Sequence, residues 1–456
     1  MKLPFFPKIN AISNKFAELF PKILSEFKEN ETFRQFIIKA NENYAPWERF
    51  SNLPLPITTF SHEELWLFLK MFVRIQKPIS ALRDKNGQAF GYVTTDSINR
   101  KLHQIDMKLA DNIVLKGSTL EKNQENDWIN KRLVSSFIHE AIASSQIEGA
   151  ATTRRIAEEM IKSGRKPKNK DEIMIINNYK TITLIKDKWI EKEASIDLLL
   201  EIHRVLTKDT MEKESDIGQI RQDIDEKDKI NVYDDDGAIL HSPPKAEEIT
   251  KRLQNLCNFI NTNETETEFV HPILKAMILH FAIGYIHPFY DGNGRTARAL
   301  FYWYLIKQGY KLFQYISISE AILKSPGQYK KAYLYTENDG NDLTYFFYYH
   351  LKIIEQCIED LNRYLTIKFN ELDSIKHKLR NIQGLNLRQF DLLNHALKNR
   401  DERYSYKSHQ NLNKISWATA RSDLDELSRR NYLEKRKIGK EYSFFVPRDF
   451  SERLLS

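Results

Sequence analysis

The chain has 456 residues, with 69 Lys and Arg against 62 Asp and Glu, a formal charge of +7. That length leaves room for roughly two to four domains, and a 41% hydrophobic fraction with 21 Tyr and 26 Phe excludes a disordered chain. Two cysteines, Cys257 and Cys357, exclude a disulfide-stapled secreted fold and a cysteine-based zinc ribbon. Charges interrupt the N-terminal segment, so no signal-peptide core is expected, and the apolar run from Ala276 to Ile286 is too short to span a bilayer. The expectation is a cytoplasmic protein without membrane partners.

In chain order, residues 1–80 read as helical with turns at Pro54 and Pro56. A short extended piece, GQAFGYV, precedes a helical stretch, DSINRKLHQIDMKLADN. From about residue 128 to 376 the pattern is helix after helix, broken by KINVYDDDGAILHSPP, which reads as two short strands around a DDG turn. A charged helix then leads to a distinct end. There LNLRQFDLLNHAL and SWATARSDLDELSRR are helical, and YLEKRKIGKEYSFFV is a hairpin turning at Ile438–Gly439–Lys440. Helices followed by a two-stranded wing make a winged-helix pattern. The fold is expected to be mostly α in three parts: an N-terminal helical extension (1–127), a catalytic core (128–376) and a winged helix (377–456). From Arg380 onward there are 16 Lys/Arg and 10 Asp/Glu, so nearly all the excess charge lies in that last part. Such a terminus is a nucleic-acid footprint or a solvated face.

Chemistry concentrates between His271 and Gly309. Pro272 suits a first helical position, and the run to Ile286 is apolar on nearly every side, as in a buried helix. It should stop at His287-Pro288, because a residue before proline resists the helical region. The stretch Asp291-Gly292-Asn293-Gly294 reads as a loop, with an apolar helix restarting at Arg295. Unpaired amides and the helix dipole there suit a phosphate. Around this loop stand an imidazole (His287), a carboxylate (Asp291) and two arginines three apart (Arg295, Arg298). A base, a hard-cation ligand and a polyphosphate clamp are the parts that phosphorus chemistry needs.

HPFYDGNGRTAR resembles, position for position, the HxFx(D/E)GNGRxxR signature of the Fic family. The resemblance implies a protein adenylyltransferase that moves AMP from ATP, with Mg²⁺, onto a Tyr, Ser or Thr hydroxyl of a protein target, itself included. By position His287 would be the general base and Phe289 the loop's anchor. Asp291 would hold Mg²⁺, Gly292, Asn293 and Gly294 would form the anion hole, and Arg295 and Arg298 would bind the distal phosphates. Upstream, Ser144 to Gly149 fits the (S/T)xxxE(G/N) pattern that resembles the inhibitory helix of autoregulated members, with Glu148 pairing with Arg298. The hairpin through Val232, Tyr233, Asp234 and Gly237 resembles the family's flap, which aligns a target segment by strand addition. Gly218-Gln219-Ile220-Arg221 and His241-Ser242-Pro243-Pro244 resemble its usual flanks.

Other sites fail on spacing. His139-Glu140 lacks the second histidine of a zincin helix, and Asp223–Asp228 and Asp234–Gly237 do not fit a calcium loop. In the terminal module, the helix capped by Ser416 should bury Ile415, Ala420, Leu424 and Leu427. Trp417, Thr419, Arg421 and Ser422 are then outward, with Lys435, Arg436 and Lys437 on the wing. Asp423, Asp425 and Glu426 on the same helix oppose DNA binding, and such modules also dock proteins. Transfer of another phosphate-containing group, removal of AMP, a DNA-binding regulator with a nucleotide-sensing core, and a homodimer all stay open.

Overall fold

The structure, a computed structural model, describes residues 4–7, 9–110, 122–222, 230–233, 236–262, 269–378, 384–399, 401–439 and 441–450. It is mostly helical, with a few short strands. The N-terminal part holds α1 (Ile9–Glu29), α2 (Glu31–Glu42), α3 (Trp47–Phe50) and α4 (His62–Phe68), then β1 (Lys77–Arg83), β2 (Ala89–Tyr92) and α5 (Asp96–Ala110). There follow α6 (Lys122–Ile147), α7 (Arg154–Ser163), α8 (Lys170–Leu184), α9 (Ile196–Thr207), β3 (Val232–Tyr233), β4 (Ile239–His241) and α10 (Ala246–Asn261). Next come α11 (Pro272–Ile286), α12 (Asn293–Lys307), α13 (Ile318–Leu323), α14 (Pro326–Asn338) and α15 (Thr344–Lys378). The chain ends with α16 (Leu387–Lys398), β5 (Arg403–Ser405), α17 (Tyr406–Asn413), α18 (Trp417–Arg429), β6 (Glu434–Ile438) and β7 (Glu441–Phe445). No helix among the described residues is long and apolar enough to cross a membrane.

Two compact units share the chain: residues 1–112, 184–311 and 321–355 in the first, 113–183, 312–320 and 356–456 in the second. In the first, α11 and α12 pack against each other and are buried along nearly their whole length. Asn30 caps α2 by accepting from Phe33 N–H, and Ser61 with Glu64 closes a capping box on α4. The reading of residues 1–80 as helical fails at β1, which pairs antiparallel with β2. KPISALR is short, buries Ile79 and Leu82, and carries Pro78, which cannot donate to a ladder and belongs on a two-stranded edge.

A buried ionic cluster ties the N-terminal helices to the turn before α15. Lys70 Nζ lies 3.0 Å from both Asp339 Oδ2 and Asp342 Oδ2. Tyr44 and Tyr345 hydroxyls donate to Asp342 and Asp339 at 2.6 Å. Burial raises the Asp339 carboxyl above its ordinary value. At Asp342 burial acts the same way, but Lys70, Thr344 and Tyr44 outweigh it and hold the group low.

In the second unit, the buried Glu140 carboxylate of α6 accepts from Ser317 Oγ (2.8 Å), from Ser319 N–H (3.0 Å) and from Ser319 Oγ. The C-terminal module packs α16, α17 and α18 around a three-stranded sheet ordered β5-β7-β6. Sequence reading missed β5 and α17. A three-residue strand shows no period, and YKSHQNLN has no apolar stripe, being started by the Ser405–Ser408 capping box. Asp423 also departs from expectation. It is buried and accepts from Arg388 Nε and Asn386 Nδ2 (each 2.7 Å), with His409 Nε2 at 3.1 Å. Burial alone would raise its pKa, but those three partners hold it at about 2. Ile415, expected in the core, is only half-buried.

Removing the cation from the first cluster leaves two adjacent buried carboxylates. Lys70→Met should therefore cost about 3–5 kcal/mol of stability, read as a lower urea midpoint in far-UV circular dichroism. A cost below about 1 kcal/mol would mean that the aspartates find other partners.

Candidate active site

The site is built on the break between α11 and α12. Pro272 starts α11 and supplies no N–H where none could be bonded. The helix ends at His287, which takes the left-handed conformation (φ 50°, ψ 58°). That conformation costs a non-glycine residue about 1–2 kcal/mol, so its surroundings must impose it. Pro288 follows, and the next helix starts earlier than expected, at Asn293 instead of Arg295. Gly292 makes this possible. It caps α12 at φ 83°, where a Cβ would lie 2.7 Å from Thr207 Cγ2. Asn293 and Gly294 can then occupy the first turn, whose N–H groups lack intrahelical acceptors.

Each motif residue has a defined place. Phe289 is fully buried, and Asn293 clasps its backbone: Phe289 N–H donates to Oδ1 (2.9 Å) and Nδ2 donates to the Phe289 carbonyl (2.7 Å). The Asn293 side chain thus holds the loop, leaving only its backbone amide for an anion. Asp291 is exposed, accepts from Gly292 N–H at 2.5 Å, and lies 3.2 Å from Arg295 Nη2. Arg295 is wholly buried, with Nη1 donating to the Leu206 carbonyl at 3.3 Å. Its bonds tie it to the end of α9 and to the loop. Arg298 is buried on the same helix. His287 is half-buried, with Nδ1 3.4 Å from the Gly284 carbonyl.

His203, on α9, was not found by sequence reasoning. Its ring stacks on Phe289 (3.8 Å between centroids, 11° between planes). Gly218 N–H donates to its Nδ1 (3.0 Å), so Nε2–H donates to the Asp291 carbonyl (2.9 Å). Burial pushes its pKa down to about 4, which keeps the ring neutral and this tautomer fixed. Arg221 was also missed as a site residue. Its Nε donates to the His287 carbonyl at 2.8 Å, and its backbone N–H to the Pro288 carbonyl at 2.9 Å. His203 has no motif of its own, because it acts on backbone atoms far away in sequence, and Arg221 was read only as part of the Gly218–Arg221 flank.

Beside the loop, β3 and β4 pair antiparallel, Val232 opposite His241 and Tyr233 opposite Ile239. Val232 is half-buried, Tyr233 and Ile239 present exposed faces, and Gly237 turns the hairpin at φ 80°. Asp234 lies outside the described residues. In the second unit, α6 buries Phe137, Ile138, Ala141 and Ile142 as expected and stops at Gly149 (φ 95°). Ser144 is buried and Glu148 half-buried in the turn that closes this helix. Ser145 Oγ donates to the Ala141 carbonyl and accepts from Asn178 Nδ2 at 2.7 Å.

Among the described residues no group of three or more His, Cys, Asp or Glu could hold a metal ion. A single exposed hard carboxylate, Asp291, does fit Mg²⁺, which takes one or two carboxylates and completes its shell with phosphate oxygens and water.

Residues 193–305 match the Fic/DOC family model, an interval that contains α9, the hairpin and the whole α11–α12 break. Over 218 residues the chain is 28% identical to a protein adenylyltransferase Fic of Nematostella vectensis, covering 46% of this chain and 47% of that one. It is 32% identical over 118 residues to protein adenylyltransferase fic-1 of Caenorhabditis elegans, covering 26% and 20%. The chain thus spans about half, or less, of the curated relatives it matches. Among solved structures, a Fic family protein from Desulfovibrio desulfuricans G20 aligns with a TM-score of 0.49 at 17% identity, over 78% of this chain and 98% of that one. Residues 134–508 of Caenorhabditis elegans Fic-1 align at 0.44 and 21% identity, over 59% and 73%. The glycine-capped break between two buried helices thus carries an unbroken motif inside the interval, residues 193–305, that matches the Fic/DOC family model.

Proposed function

We propose that the chain is a protein adenylyltransferase whose own α6 segment restrains it. The observation that carries the reading is the break itself: a half-buried imidazole, a helix start with no side-chain cap and an exposed carboxylate meet at one loop. In the proposed step a target hydroxyl oxygen bonds to the α-phosphorus of ATP as the bond to the bridging oxygen breaks. Pyrophosphate leaves, and the hydroxyl proton passes to His287 Nε2, since Nδ1 faces Gly284. The α12 amides at Asn293 and Gly294 stabilise charge on the phosphate oxygens. Asp291 would hold Mg²⁺, which supplies Lewis-acid neutralisation of the phosphates when bound. Strand addition to the β3–β4 hairpin would present the target, a Tyr, Ser or Thr hydroxyl on another protein or on this chain.

Arg298 is the centre of the proposed restraint. A guanidinium so buried requires an acceptor, and Glu148 and a nucleotide phosphate are its competing anionic partners in this reading. Two variants test the two halves. His287→Ala should abolish labelling of protein by α-labelled ATP, a loss of about 10²–10⁴ in rate, while ATP affinity by calorimetry stays near the parent value. Wild-type transfer by this variant would remove His287 as the base. Glu148→Gly should raise labelling by about 10–100-fold, the worth of one charged hydrogen bond, and Arg298→Ala added to it should erase the gain. Unchanged labelling in Glu148→Gly would discard the restraint. Label lost from pre-labelled protein would instead mark removal of AMP as the activity.

A second reading, that the C-terminal module is a winged helix that binds duplex DNA, is favoured by one observation. The acidic residues that opposed it are all engaged: Asp423 with Arg388 and His409, Asp425 with Tyr406 and Lys435, Glu426 with Arg430. Trp417 and Arg421 at the start of α18 stay exposed, with Arg436 and Lys437 on the hairpin. Lys435 is tied to Asp425 at 2.7 Å, Arg421 Nε lies 3.4 Å from the same carboxylate, and Arg436 pairs with Glu434 at 2.5 Å. Replacing Arg421, Arg436 and Lys437 together by Ala should weaken duplex binding and flatten the log–log salt slope by about 2–3 in fluorescence anisotropy. Absence of binding at low salt would make the module a protein-docking surface.

A further inference from the structure

The flanks of the β3–β4 hairpin have no role in the chemistry above, yet they make the densest polar contacts of the loop. Ending a buried helix leaves carbonyls without intrahelical donors. Here the Tyr285 carbonyl accepts from His241 Nε2 (2.8 Å), and the His287 carbonyl accepts from Arg221 Nε (2.8 Å). The Pro288 carbonyl accepts from Arg221 N–H (2.9 Å). Gln222 N–H donates to the Tyr290 hydroxyl (2.9 Å), which donates back to the Gln222 carbonyl (3.0 Å). Arg221 does one thing more: its Nη2 donates to the Pro244 carbonyl at 2.5 Å, on the other stem of the hairpin. The side chain is among the most completely buried in the protein.

We infer that Arg221 is a positioning residue: one buried guanidinium fixes the left-handed backbone of His287 and fastens both stems of the target-docking hairpin to it. The base and the strand edge that aligns the hydroxyl are thereby set by the same side chain. A fork of donors is needed for this, because the two carbonyls lie on different segments and an ammonium offers no rigid pair of directions. The inference rests on the proposed transfer reaction. It adds a reason for the Gly-Gln-Ile-Arg and His-Ser-Pro-Pro flanks, which meet at Arg221 and Pro244.

The test uses the full-length chain carrying Glu148→Gly, with Arg221→Met and Arg221→Lys compared in that background. Displacing the base by a fraction of an ångström to one ångström should lower kcat by about 10²-fold in Arg221→Met. Arg221→Lys should retain more of kcat than Met but not all. ATP affinity should stay within about twofold, since the described bonds of Arg221 run to the His287, Pro288 and Pro244 carbonyls. With ¹⁵N-histidine labelling, the His287 resonance, assigned by its loss in His287→Ala, should shift in both variants. Those of the buried His280 and His350 should not. A folded Arg221→Met with kcat within about twofold of its parent would overturn the inference. So would ATP affinity that falls in step with kcat, since the whole loop would then have moved. If Glu148→Gly transfers nothing, the proposed reaction fails on its own. The His287 resonance then decides the positioning role: unshifted overturns it, shifted supports it. If Arg221→Met does not fold, the same two readouts on Arg221→Lys decide.

Discussion

A helix that is apolar on every side has to end inside the protein, and the backbone groups at that end must still be bonded. This constraint organises the first unit. Buried carbonyls and amides without partners each cost on the order of 1–3 kcal/mol, and the α11–α12 break exposes a run of both. The carbonyls are satisfied from outside by Arg221, His241 and His203. The α12 N-cap makes no side-chain cap hydrogen bond, and it is these first-turn amides that the proposed reaction uses to hold an anion. The side chains that satisfy the carbonyl half of the break also shape the half that the proposal assigns to the anion.

Much of this was legible in the sequence. Pro272, His287-Pro288 and Gly292 mark α11 and its end by their backbone preferences alone, and an unbroken apolar run shows that the helix is buried. The start of α12 was placed two residues late, because Asn293 and Gly294 look like loop formers in isolation. They enter the helix only because Gly292 takes a positive φ and Asn293 spends its side chain on Phe289. Arg295 was read as a phosphate ligand from its place in the motif, and its burial and its bonds to Leu206 and Asp291 are not visible from that place. His203 and Arg221 were not legible as site residues, since no local pattern reports a contact with a distant backbone atom. For the same reason the charge count of the C-terminal module misled. Asp423 counts as an exposed acid in composition but sits in a cage of donors from α16 and α17.

The second unit brings together pieces that lie far apart along the chain. Helices α6 and α7 are covered by α17, with Asn411 Nδ2 donating to the Lys162 carbonyl at 2.7 Å and Lys414 lying over the Phe137 ring. Glu140 takes its donors from residues 317–319. The helix that carries the Ser144–Glu148 pattern is thus completed by segments made long after it.

That chain order has a consequence during synthesis. At about 5–20 residues per second, the apolar face of α6 and α7 leaves the ribosome tens of seconds before α17 exists to cover it. Through that interval Met160 and Ile161 pack with Ile175 of α8, and Phe137 with Ile182 of α8 and, once it is made, Tyr315. Until α17 arrives the nascent chain presents that apolar surface to water, the condition in which folding intermediates become prone to aggregate.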